Sequence, residues 1–218
     1  MLSQTEENYL KALFHLTAER AEKTEAGTNE LAAALNVKPA TANDMLKKLK
    51  EKRLIHYEKY GKISLTLSGR KQAVEVIRKH RLWETFLYEK LEFSWDEVHE
   101  VAEQLEHIQS PKLIEQLERF LGFPESDPHG DVIPNARGEI KWQPRKLLTA
   151  VAVGKTCKLV AVKDNSAAFL QYAVKVGLGL SSKIKVTNRQ DFDGTMEIEV
   201  NGRKSVVSQK FAENIFVA

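Results

Sequence analysis

Residues 39–67 read PATANDMLKKLKEKRLIHYEKYGKISLTL, and a change of period inside that stretch decides the fold. Pro39 suits the first turn of a helix, where its missing N–H would be unpaired anyway. Met45, Leu46 and Leu49 then face inward at helical spacing, to about Lys52. From Leu54 to Leu67 the pattern is that of two short strands around Gly61. Upstream, Ser3-Gln-Thr-Glu6 has the form of a capping box, followed by Tyr9, Leu10, Leu13, Phe14 and Leu16. Thr28 can cap a short helix through Leu35. Helix, turn, helix and hairpin is the order of a winged helix-turn-helix, whose second helix enters a DNA major groove.

Charge supports that reading. The 218 residues carry a formal net charge of +3, too little to imply a partner. Yet Lys38 to Lys62 holds eight Lys or Arg. Lysines there would neutralise phosphates. The residues expected to reach double-stranded operator DNA are Lys38, Pro39, Ala40, Thr41, Asn43 and Lys47 on the helix, and Lys59 and Lys62 on the wing. Asn43 could make a bidentate contact to adenine.

The second informative stretch is Glu97–Ile108, EVHEVAEQLEHI. A second capping box, Ser94-Trp-Asp-Glu97, is expected to open this helix. At about 100° per residue, His99, Glu103, Glu106 and His107 share one face, and Val101, Leu105 and Ile108 the opposite one. A solvated helix face would explain this alone. However, Ser68 can cap a preceding helix to about Leu91, on which His80 and Glu84 stand i, i+4 and so share a face. Packed carboxylates repel, and burying them is costly unless a cation joins them. Glu92 to Glu106 contains six acids and no Lys or Arg. Carboxylate and imidazole without thiolate suit Mn²⁺ or Fe²⁺, with Zn²⁺ and Co²⁺ possible.

Further on, Ser110-Pro111 starts another helix through Leu121. Residues 122–145 hold four of the six prolines and read as a linker or packed loop. Short β runs follow at 156–162, 183–187, 196–200 and 205–208, with Asn201-Gly202 as a hairpin turn. Cys157 is the only cysteine, which excludes an internal disulfide framework. No apolar run approaches a membrane span, no leader is evident, and a cytoplasmic chain without a membrane partner is expected.

These residues together resemble the diphtheria toxin repressor family of metal-dependent regulators, which includes the manganese transport regulators. The resemblance rests on Glu7-Asn-Tyr-Leu10, Leu65-Thr-Leu-Ser-Gly-Arg70, Arg78-Lys-His-Arg-Leu82, Glu103-x-x-Glu106-His107 and Pro128-His-Gly-Asp-Val-Ile-Pro134. It implies a mainly α fold with a small β part. A winged helix-turn-helix would span 1–70, a helical dimerisation and metal-binding domain 71–143, and an SH3-like β-barrel 144–218. By position it implies one metal site of Glu103, Glu106 and His107 with the first-helix residue Asn8, or its neighbour Glu7. It implies a second site of His80 and Glu84 with Asp127, His129 and Asp164. His99 matches a ligand of iron-type members, whereas Asn165 and Ala168 depart from that type's further ligands.

Plainer readings stand beside these. His129 could be a turn residue, Asp164 a turn acid, and His15 and His56 ordinary helix and wing residues. The expected activity is a cytoplasmic homodimeric repressor with Mn²⁺, or alternatively Fe²⁺, as corepressor, and not an enzyme. Leu105, Leu113 and Leu117 would form the dimer surface unless they are intramolecular core. A winged-helix regulator sensing an organic ligand, or a metal-dependent hydrolase, are the alternatives. The hydrolase would need an open coordination position and a positioned water.

Overall fold

The computed structural model describes residues 2–17, 23–58 and 61–218. The chain forms two compact units. The first comprises 1–80 with 105–109 and 134–139, and the second 81–104, 110–133 and 140–218.

In the first unit, α1 (Gln4–Thr17) starts at the expected capping box: Ser3 N donates to Glu6 Oε2 at 2.9 Å, and Glu6 N to Ser3 Oγ at 3.3 Å. Leu10, Leu13 and Phe14 are fully buried, each burial contributing about 1.5–3 kcal/mol. Then come β1 (Ala26–Gly27), α2 (Thr28–Ala34), α3 (Pro39–Glu51), β2 (Ile55–Tyr57) and β3 (Lys62–Leu65). The strands form an antiparallel sheet in the order β1-β3-β2, with Tyr57 opposite Ile63. Helix α3 buries Ala42, Leu46 and Leu49, while Met45 is only half-buried. Two expected caps shift. Thr28 is already helical, and Gly27 is the capping residue, its N–H donating to Glu30 at 3.4 Å. The long helix α4 (Leu67–Leu91) is capped by Thr66, not Ser68, because Thr66 Oγ accepts from Gly69 N at 3.0 Å.

The second unit holds the later part of α4, then α5 (Val98–Leu105) and α6 (Pro111–Phe120). Ser94 N and Oγ both donate to Glu97 Oε2, at 2.8 and 2.6 Å, but helix begins only at Val98. Helix α5 ends at Leu105, so Glu106 and His107 lie in the turn beyond it. Its buried stripe is Val98 and Ala102, not Val101 and Leu105, which are half-buried. Glu106 continues that stripe one turn on and is wholly buried.

After an irregular loop, β4 (Lys146–Leu147), β5 (Thr156–Val162), β6 (Lys183–Arg189), β7 (Met196–Val200), β8 (Arg203–Val207) and β9 (Ile215–Val217) form an antiparallel sheet in the order β4-β9-β5-β6-β7-β8. Register shifts in the β5–β9 and β6–β7 pairings bend the sheet around its core. Asn201 and Gly202 have φ of 53° and 78°, the turn that joins β7 to β8. Two helices lie in this part, α7 (Ala167–Lys175) and α8 (Gln209–Ala212). Helix α7 was not expected, although Ser166 caps it by accepting from Phe169 N at 3.4 Å. The core includes Leu148, Leu159, Leu170, Ile184, Met196 and Ile198, and it takes in Trp95 from the segment before α5. The expected class, a mainly helical chain with a winged helix and a small β part, holds.

Candidate metal centres and nucleic-acid interface

In the first unit, Glu7 and Lys11 stand i, i+4 on α1 and are both buried. Glu7 Oε2 lies 2.5 Å from His107 Nδ1, and Glu7 Oε1 accepts from Gln109 Nε2 at 2.7 Å. A carboxylate at Nδ1 holds the proton there, which leaves the Nε2 lone pair of His107 for a ligand. That nitrogen is 3.8 Å from Glu106 Oε1. Glu106 Oε1 is buried and has no hydrogen-bond partner. The other oxygen, Oε2, accepts from Lys11 Nζ at 2.6 Å and lies 2.5 Å from His80 Nδ1. Burial alone would raise the Glu106 carboxyl, but the His80 hydrogen bond and the Lys11 charge outweigh it and hold it below its ordinary value. Glu7, not Asn8, is therefore the first-helix residue that meets His107.

In the second unit, Glu84 is the hub. His99 Nδ1 is 3.1 Å from Glu84 Oε1, and His129 Nδ1 is 3.5 Å from Glu84 Oε2. His99 Nε2 also reaches exposed Glu103 at 3.6 Å. Glu84, Asp127 and His129 are all buried and offer ligand atoms within 4.8 Å of one another. His129 Nε2–H donates to Trp95 O at 3.0 Å, and its ring stacks on Trp95 at 5.9 Å. The lone pair is thereby placed at Nδ1, a buried atom without a hydrogen-bond partner that faces a carboxylate. Such an arrangement requires a proton or a metal cation between the two groups. Accordingly, although burial opposes it, the Glu84 carboxylate 3.5 Å away pushes His129 up to about 9. Burial, then repulsion from Glu84 and Asp131, raises Asp127 well above the usual carboxylate range.

The loop that carries these ligands is tightly held. Asp127 Oδ1 accepts from His129 N and Asp131 N, at 2.8 and 3.0 Å. Arg81 Nη1 donates to Val132 O at 2.7 Å, with its Nε 3.6 Å from Asp127 Oδ2. Val162 N donates to His129 O at 3.0 Å, tying the loop to β5. Asp164 is not in any cluster of three or more ligand-type side chains among the described residues. Its carboxylate accepts from Ser166 N at 2.9 Å in the turn before α7. The donor types and the two orphaned ligand atoms, Glu106 Oε1 and His129 Nδ1, fit a divalent cation. Sequence reasoning missed Lys11, Arg81 and Trp95. Lys11 stands one helical turn after Glu7, and that spacing was the available signal.

On the winged helix, Lys38, Pro39, Ala40, Thr41, Lys47 and Lys62 are exposed. Lys47 pairs with Asp44 at 2.9 Å and Lys62 with Glu25 at 3.2 Å. Asn43 is half-buried, and its Oδ1 accepts from Tyr57 OH, which ties α3 to β2. Lys59 lies outside the described residues.

Comparison with known proteins finds three family matches along the chain. Residues 1–63 match the iron dependent repressor N-terminal DNA binding domain, 66–135 the iron dependent repressor metal binding and dimerisation domain, and 146–218 the FeoA domain. A solved structure of a manganese-dependent transcriptional repressor in complex with manganese is 34% identical, with a TM-score of 0.86 over 98% of this chain and 99% of that one. An HTH-type transcriptional regulator of Methanocaldococcus jannaschii is 34% identical over 120 residues, 55% of this chain and 94% of that protein. A probable metal transport system membrane protein of Chlamydia trachomatis is 42% identical over 71 residues, 33% of this chain, which spans only 16% of that protein. No helix among the described residues is long and apolar enough to cross a membrane. From these matched segments and the whole-length likeness, the chain belongs to the iron-dependent, or diphtheria toxin, repressor family of transcriptional regulators.

Proposed function

We propose that this chain is a cytoplasmic, homodimeric repressor that binds operator DNA when loaded with Mn²⁺, or with Fe²⁺, and that it is not an enzyme. The observation that carries the reading is His129 Nδ1, orphaned in the interior against the Glu84 carboxylate. The residues that would hold one ion are Glu84, His129 and Asp127, with His99 on the other oxygen of Glu84. Those that would hold another are Glu106 and His107, with His80 beside them. Bound there, the ion supplies positive charge to carboxylates that are otherwise expensive to bury together. Glu7 acts as a positioning residue, since it fixes the tautomer of His107 from the first helix. Loading at either place shifts the population toward a DNA-binding form.

Exposed Lys38 and Lys62 would meet phosphates, while Thr41 and the Asn43 amide would face base edges. Leu117 is intramolecular core, and Leu91, Leu113 and Phe120 are among the apolar side chains left outside on α4 and α6; these three form the proposed dimer surface. The test is operator binding at fixed ionic strength. Affinity should rise at least about 100-fold in Mn²⁺ over excess chelator. Equal affinity in the two conditions rejects the reading.

A further inference from the structure

We infer that Lys11 is a tethered competitor for the Glu106 site and sets the free-metal level at which that site fills. The inference rests on the proposed role of Glu106 and His107 as ligands. Lys11 Nζ is 2.6 Å from Glu106 Oε2 and 3.3 Å from His80 Nδ1. The Lys11 and Glu106 side chains are 10% and 1% exposed, so water screens this pair little. One oxygen of Glu106 is thus occupied by an ammonium and an imidazole, and only Oε1 faces His107.

A divalent ion has two ways to enter. If it uses Oε1 and His107 Nε2 while Lys11 stays, the ammonium sits across a single carboxylate from it and repels it. If it takes both oxygens, Lys11 must leave a buried, charge-assisted hydrogen bond. Both routes lower affinity relative to a site without the lysine. The same contact explains how the metal-free protein tolerates a buried Glu106: α1 lends it a cation. The acidic segment 92–106 contains no Lys or Arg of its own, and the ammonium beside Glu106 comes from another helix. Lys11 therefore has two effects of opposite sign, steadying the empty form and weakening the loaded one.

The experiment is Mn²⁺ titration of the full chain by calorimetry, with thermal melting in chelator, for wild type, Lys11→Met, Lys11→Gln and Glu106→Ala. Removing the charge should tighten Mn²⁺ binding at this site by about tenfold or more. Lys11→Met should also melt below wild type in chelator and gain more on adding Mn²⁺. Lys11→Gln keeps a donor to Glu106 without charge; it should tighten binding while melting closer to wild type. Wild-type or weaker affinity in both lysine variants overturns the inference, provided Glu106→Ala loses the site. If Glu106→Ala binds Mn²⁺ as wild type does, the ligand assignment itself is wrong, and the role of Lys11 falls with it.

Discussion

Replacing Gly130 with alanine tests how the backbone builds the Glu84 centre. Gly130 has φ +84°, and an added Cβ would lie 1.9 Å from Val160 O and 2.6 Å from Ala161 Cα. Those neighbours are backbone atoms of β5, so no side chain can swing aside. A left-handed alanine costs about 1–2 kcal/mol. Lifting the loop off β5 also breaks the bond from Val162 N to His129 O, worth about 1 kcal/mol. The expected loss is therefore about 3 kcal/mol, or a fall in Tm of roughly 6–12 °C for a chain of this size. His129 and Asp127 stand one and three residues before Gly130, so Mn²⁺ affinity at this centre should fall by about 10–100-fold. Gly154 is the control: its φ is +83° but nothing lies within 4 Å of an added Cβ. Gly154→Ala should cost only the left-handed penalty and leave Mn²⁺ binding alone. Differential scanning calorimetry and equilibrium dialysis read both variants. Equal melting of the two would refute the claim that loop and strand are in forced contact. Unchanged Mn²⁺ binding in Gly130→Ala would refute the claim that this contact positions the ligands.

Three further outcomes follow from contacts in the first unit. Glu7→Leu should weaken Mn²⁺ binding at the Glu106–His107 site by about 10–100-fold, and Glu7→Gln, which can still accept from Nδ1–H, should recover part of the loss. Calorimetry checks this, and identical affinity in Leu and Gln variants counts against a positioning role. The Glu6 carboxyl is opposed by burial but held below its ordinary value of 4.5 by Lys52 and Ser3. A depressed carboxyl contributes stability that is present above its unfolded pKa and lost as pH falls through the folded one. Wild type should therefore lose about 1 kcal/mol relative to Glu6→Gln on acidification below about pH 4.5, as read in urea unfolding at pH 7 and pH 3. Finally, Lys38→Ala should lower the slope of log K against log salt by about 0.9 without changing sequence preference, in binding isotherms on operator and random DNA.

The elements that the chain announced were those with two independent signals. Helix α1 had both a capping box and an apolar stripe, and β5 and β7 had short β runs; all three appear where expected. Helix α7 had a cap and a short stripe but lay among strand-like segments, and β9 is three residues long, too short for periodicity to register. The 97–108 segment failed in an instructive way. A helical wheel assumes that the helix continues, but α5 stops at Leu105, and burial follows Val98, Ala102 and Glu106 instead. Residue types marked the candidate ligands well, because carboxylate and imidazole are informative wherever they cluster. What the sequence could not show was which atom of each ligand is already engaged. Asn43 is half committed to Tyr57, Asp164 to the turn before α7, and Glu106 to Lys11. The Asp164 contact is local, but the partners of Asn43 and Glu106 lie 14 and 95 residues away, so no local pattern carries those two.

The way the chain is divided between its two units has a practical consequence. The backbone passes from one to the other at 80/81, 104/105, 109/110, 133/134 and 139/140. The chain thus crosses between the two units five times. A shortened chain ending at 80, 104, 109 or 133 would lose residues of both, and of the five seams only 139/140 leaves the first unit's residues all present, with the second cut short.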